Sequence, residues 1–161
     1  MNTARKNLSH SSQSRDFAKE TKAYLNQVFL YDKEITKLCE KLEYIRYKQT
    51  SPSSSFFSHT KTQHSPSGGG IDELLVRALE VEEELSCALL ALSDLEAKIY
   101  ELVESLSSPM QKAILIWRYI CRKPWADVAE SADLSEMHAL RIHNKALAEL
   151  AEISLCHKAS F

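Results

Sequence analysis

Eleven apolar residues set the frame for this chain: Ile71, Leu74, Ala78, Val81, Leu85, Ala88, Leu92, Leu95, Ile99, Leu102 and Leu106. They alternate by three and four without a fault. That spacing brings every seventh residue back to one helix stripe and implies left-handed supercoiling against a partner. A strand would need alternation by two, so Ile71–Leu106 is expected as one long helix. Upstream, Phe17, Tyr24, Val28, Tyr31, Ile35, Leu38, Leu42 and Ile45 repeat the spacing, interrupted at Thr21, and predict a helix over Asp16–Gln49. Between them lies TSPSSSFFSHTKTQHSPSGGG, Thr50 to Gly70, which holds all three glycines of the chain and two of its four prolines. Such a segment cannot continue a helix and offers little to bury, so it reads as a flexible loop.

The two helices differ in charge. Asp16–Gln49 carries seven Lys/Arg against six acids, whereas Ile71–Leu106 carries two against ten. The acidic helix is better placed beside the first helix than beside a copy of itself. The expectation is therefore a long antiparallel helical hairpin over residues 16–106. Leu25, Leu75, Leu89 and Val103 flank the seam and exceed what one partner needs. A homodimer of hairpins, forming a four-helix bundle, would cover them; a C-terminal domain folding back would do the same.

From Ser108 the pattern changes. Ser108, Pro109 and Gln111 form an S-x-x-Q capping box with proline at the first helical position. Pro124 opens another short helix, and Asp133-Leu134-Ser135 supplies a turn and a new N-cap. Val128, Ala132, Leu134, Ala139 and Ile142 supply the inward positions, and Ala129 is small enough for two helices to cross closely. This spacing predicts a helix-turn-helix, whose second helix, from Ser135 to about Leu150, enters the DNA major groove. The turn needs a residue with positive φ, usually glycine. Asp133 stands there as one of the next most tolerant types.

The run Ile116–Leu147 resembles region four of bacterial sigma factors. The residues that carry the likeness are Arg118-Tyr119-Ile120, Trp125, Val128-Ala129, Leu134-Ser135-Glu136, Arg141-Ile142-His143 and Lys145-Ala146-Leu147. The whole layout is similar to phage and prophage late-transcription regulators of the autolysin-regulator (ArpU-like) type, in which a helical hairpin with a Ser/Gly-rich break precedes such a domain. The resemblance implies an all-α protein ending in a DNA-binding domain over residues 107–161 and acting at a late or lysis-related promoter. It implies base readers at Glu136, Met137, His138 and Arg141. Ser135, Lys145, Arg122 and Lys123 are better suited to phosphates, which position without specifying sequence. Arg141 suits a guanine edge, and Glu136 suits cytosine N4. Met137 and Leu140 depart from the charged residues common there.

From Ser107 onward seven Lys/Arg face six acids, and the whole chain is −2. Phosphate neutralisation supplies most non-specific affinity, so one such domain alone should hold DNA weakly. The remedies are a dimer with two reading helices, or RNA polymerase as a second partner holding the domain against DNA. Two alternatives remain open: a protein-interaction module that docks on polymerase or a sigma factor without reading DNA, and the small subunit of a phage terminase.

Other classes find no support in the residues. There is no phosphate-cradling glycine loop, no H-E-x-x-H and no nucleophile–base pattern, so an enzyme is not expected. Cys39, Cys87, Cys121 and Cys156 have no C-x-x-C spacing, which fits a reducing cytoplasm without disulfides, metal or cofactor. Cys156-His157 supplies two ligands where a structural zinc site needs four. His59 and His64 read as solvated loop residues. No apolar run reaches membrane-spanning length. Residues 1–15 are polar and carry Arg5, Lys6 and Arg15 with no acid, which reads as a disordered basic arm.

Overall fold

The computed structural model describes residues 16–50 and the backbone of 71–158, with side chains of 72–153 in the second stretch. The arm at 1–15, nearly all of the Thr50–Gly70 loop with His59 and His64, and the Cys156-His157 side chains lie outside the described residues. Among those described, the chain is helical apart from short connections and has no strand. The helices are α1 (16–25), α2 (Gln27–Thr50), α3 (Ile71–Glu104), α4 (Pro109–Leu115), a π-helical turn Ile116–Ile120, α5 (Trp125–Ser131) and α6 (Glu136–Lys158). Of the described residues, 16–30 together with 93–158 form one compact unit, and those within 31–92 form the other.

The Tyr31–Leu92 unit follows its repeat closely. Leu42, Ile45, Ala78 and Val81 are buried together, with Leu38, Leu74 and Leu85 packed against them. These are the three-four positions of α2 and α3. Outside the seam, Arg46 donates to Glu82 at 2.8 Å, and Lys41 lies 3.7 Å from Glu84. Both pairs are solvent-exposed, so each adds on the order of 0.5 kcal/mol and weakens with salt.

The single helix expected over Asp16–Gln49 is broken at Asn26. There the Phe29 N–H bonds the Asn26 carbonyl at 3.1 Å, a tightened turn of i+3 type. Asparagine is a weak helix former because its side chain competes for nearby backbone groups. The break sits beside Leu25 and Val28, both fully buried. Two of the residues expected as surplus are thus already covered within one chain: Leu25 and Val103 are both inaccessible, while Leu75 and Leu89 stay about half exposed.

In the other unit α4 starts at Pro109 as its first helical residue, as expected, but the capping box does not form. The Ser108 side chain makes no capping bond. Instead Glu149 of α6 accepts from the Ser107 N–H at 3.1 Å and from the Ser107 hydroxyl at 2.8 Å. Gln111 is buried and donates to the same carboxylate. These donors, the Ser107 hydroxyl first, hold the Glu149 carboxyl below its usual range.

Candidate nucleic-acid interface

Positioning of the last helix begins with a turn. Residues 129–134 close α5 with two bonds, Leu134 N–H to the Ala129 carbonyl at 2.9 Å and Asp133 N–H to the Glu130 carbonyl at 3.1 Å. This six-to-one and five-to-two pairing is a Schellman motif, and it requires its C′ residue in the left-handed region. Asp133 is that residue, at φ 53°. Leu134, one residue on, packs back onto buried Ile114, Val128, Ala129 and Ala139 together with Trp117, Trp125 and Ile142. Ser135 then accepts the His138 N–H at its Oγ, 3.3 Å away, and so N-caps α6. At the other end of α5, Pro124 sits at the N-cap, one residue earlier than expected, and Trp125 begins the helix.

The inner face of α6 buries Ala139, His143, Ala146, Leu147 and Leu150. The outer face carries Met137, His138, Arg141, Asn144 and Lys145, all exposed. Met137, at 74 % exposure, is the barest large apolar side chain of the described residues. Glu136 is exposed at the first helical position, and successive steps of about 100° place it off the stripe that joins Met137 to Arg141. His138 and Lys145 flank that stripe. Ser135 is exposed but its Oγ already caps the helix.

Arg122 and Lys123 are less free than a phosphate role suggests. The Arg122 guanidinium bonds Glu96 and the Ile120 carbonyl, and its backbone has φ 56°. It closes the π-helical turn, in which the Cys121 N–H reaches the Ile116 carbonyl at 2.9 Å. Lys123 Nζ donates to Ser131 Oγ at 2.8 Å and lies over the Trp117 ring. Both sit on the π-helix-to-α5 connection, apart in sequence from the α6 face.

Beneath α6 is an aromatic and polar lock that sequence reasoning did not assign. His143 is buried; its Nε2 lies 3.0 Å from the Tyr119 hydroxyl, and Trp125 meets its ring edge-on at 5.0 Å. The Arg118 guanidinium stacks between Phe29 at 4.6 Å and Trp125 at 5.2 Å, and donates to the Lys123 carbonyl at 2.7 Å. Burial above all lowers the His143 pKa to about 4, with Lys22 and Arg118 adding to the shift and the Asn144 hydrogen bond opposing it. Burial likewise pushes Tyr119 up to about 12. His143 is therefore a neutral imidazole at ordinary pH. A histidine at an inward position three or four residues from Ala139 and Ala146 was the available signal, but its partners are far away in sequence.

Among the described residues no three His, Cys, Asp or Glu side chains gather in a way that could hold a metal ion, and no helix is long and apolar enough to cross a membrane. No protein-family model, curated protein or solved structure matches the chain.

Proposed function

We propose that this chain is a sequence-specific DNA-binding transcription regulator in which residues 107–161 form a sigma region-four-like helix-turn-helix. The observation that carries the reading is the 129–135 junction. A left-handed Asp133 and a Ser135 cap launch α6 across α5, leaving Met137, His138, Arg141 and Lys145 on an open face. Arg141 reads a guanine edge there, and His138 donates to a neighbouring acceptor. Lys145 and the Ser135 neighbourhood meet phosphate. Phage or prophage origin and a late or lysis-related promoter follow from the resemblance alone, as does RNA polymerase as a second partner. The hairpin reading of α2 and α3 is supported by the order of their ion pairs, since Arg46 meets Glu82 while Lys41 meets Glu84.

Dimerisation through the helical hairpin is part of the proposal. Leu75, Leu79, Leu89 and Leu90 are all about half exposed or more in one chain. A second copy covering them would present two reading helices and double the phosphate contacts. Sedimentation equilibrium at tens of micromolar tests it, and a monomer there removes the dimer.

The central experiment is selection of binding sites from random duplex DNA near physiological salt, wild type beside Arg141→Ala. An enriched motif that loses one base position in the variant is the expected result. No enrichment by the wild type overturns the reading. A second reading has one observation in its favour: bare Met137 beside partly exposed Leu140 suits a protein surface as well as a thymine methyl. Capture of RNA polymerase by the wild type but not by Met137→Lys, with no DNA motif, would establish that docking role instead.

A further inference from the structure

Asn144 lies on α6 three residues after Arg141 and seven after Met137, which puts all three on one stripe of the helix. Its side chain is exposed, while its neighbours His143, Ala146 and Leu147 turn inward and are buried. The amide is not free to spin without cost. His143 Nδ1 lies 3.4 Å from Asn144 Oδ1, and His143 Nε2 lies 3.0 Å from the Tyr119 hydroxyl. A neutral imidazole carries one N–H. When the Tyr119 hydroxyl donates to Nε2, that proton sits on Nδ1 and donates to Oδ1. At 3.4 Å the bond is long, so it biases the amide and does not clamp it. The bias turns Oδ1 toward the ring and leaves Nδ2 on the open side, with a second lone pair on Oδ1 unused.

We propose that Asn144 reads an adenine in the major groove, Nδ2 donating to N7 and Oδ1 accepting from the N6 amino group. This rests on the DNA-reading assignment of α6 and extends it beyond the four positions named above. An asparagine amide matches the donor–acceptor pair that adenine shows in that groove, and no other base shows it in the same order. Three residues of helix rise about 4.5 Å, so the adenine lies about one base pair from the base that Arg141 meets. The buried Tyr119–His143 pair biases the reading amide from behind, without touching DNA itself.

The test compares selected motifs of wild type and Asn144→Ala, after circular dichroism has shown equal helix content and melting. The expected result is loss of discrimination at one adenine, by about five- to a hundredfold, with the neighbouring guanine position intact. Placing 7-deazaadenine at that site should weaken wild-type binding to a similar degree and leave Asn144→Ala unchanged. An unaltered motif for Asn144→Ala overturns the adenine contact while the DNA-binding reading stands. Uniform weakening across all positions also overturns it, because that is the mark of a phosphate contact. If the wild type itself selects nothing, the reading of α6 fails and the adenine contact fails with it.

Discussion

The two compact units reach stability by different routes. In Tyr31–Leu92 one apolar stripe repeats and one pair of layers, Leu42 with Ile45 and Ala78 with Val81, stands for the rest. Its polar contacts lie on the outside and are individually weak. In the unit built from residues up to Leu30 and from Ser93 on, few positions repeat. There single side chains make contacts that do not recur: Glu149 accepts from the Ser107 N–H and hydroxyl just before α4, Arg118 lies over two rings, and neutral His143 pairs with the Tyr119 hydroxyl. A repeat distributes its free energy over many equivalent contacts. A lock concentrates it, and so should be the more sensitive to one substitution.

The sharpest attempt to break that contrast is a pair of truncations, one at a buried site and one at a half-exposed site. Ile114→Ala opens a cavity in a site with no exposure and should cost about 2–5 kcal/mol, whereas Leu89→Ala, half exposed, should cost under about 1 kcal/mol as a monomer. Urea melts of both variants would decide; equal losses would mean that the two regions are not different in kind. If Leu89→Ala costs more as concentration rises, the dimer proposed through the hairpin gains support.

Acid titration probes the lock more selectively. The unfolded chain takes up a proton on His143 near pH 6.5, whereas the folded chain does so only near 4. The folded-state pKa is depressed, so its share of the stability is whole above about 6.5 and is lost as pH falls toward 4. At about 1.4 kcal/mol for each pH unit that separates the two values, the loss approaches roughly 3 kcal/mol. Denaturant midpoints measured between pH 7 and 4 should fall accordingly, and His143→Phe should remove this part of the slope. A slope unchanged in His143→Phe would place the acid sensitivity elsewhere.

Two smaller effects sharpen the comparison. Glu149→Ala strips the carboxylate that caps Ser107 and should cost about 1–2 kcal/mol, read by thermal melting at low salt and high salt alike. Arg46→Ala removes an exposed ion pair in the repeat region and should cost about 0.2–1 kcal/mol, with the difference vanishing in molar salt. A larger loss for Arg46→Ala than for Glu149→Ala would reverse the ranking of the two regions.

What the amino-acid sequence determined by itself was local and periodic. The three-four repeat specified α3 to within two residues of its observed end, and the proline and glycine distribution placed the end of α2 and the start of α3, because those effects act over one or two helical turns. Asp133 at positive φ and Ser135 as the cap were equally legible, since a turn is written in adjacent residues. Tertiary structure decided what depends on partners far along the chain. Ser108 and Gln111 carried every local mark of a capping box, yet the Ser108 side chain makes no capping bond, and buried Gln111 donates instead to Glu149, which reaches from α6 and also takes the Ser107 donors. Arg122 suited a phosphate by its charge, but Glu96 and the Ile120 carbonyl hold it. Leu25 and Val103 exceeded what one helical partner needs, and the fold covers both. His143, which the letters alone rank with any other histidine, becomes a neutral, buried hydrogen-bond partner only where Tyr119 and Trp125 meet it, and no spacing rule reaches from residue 119 to residue 143.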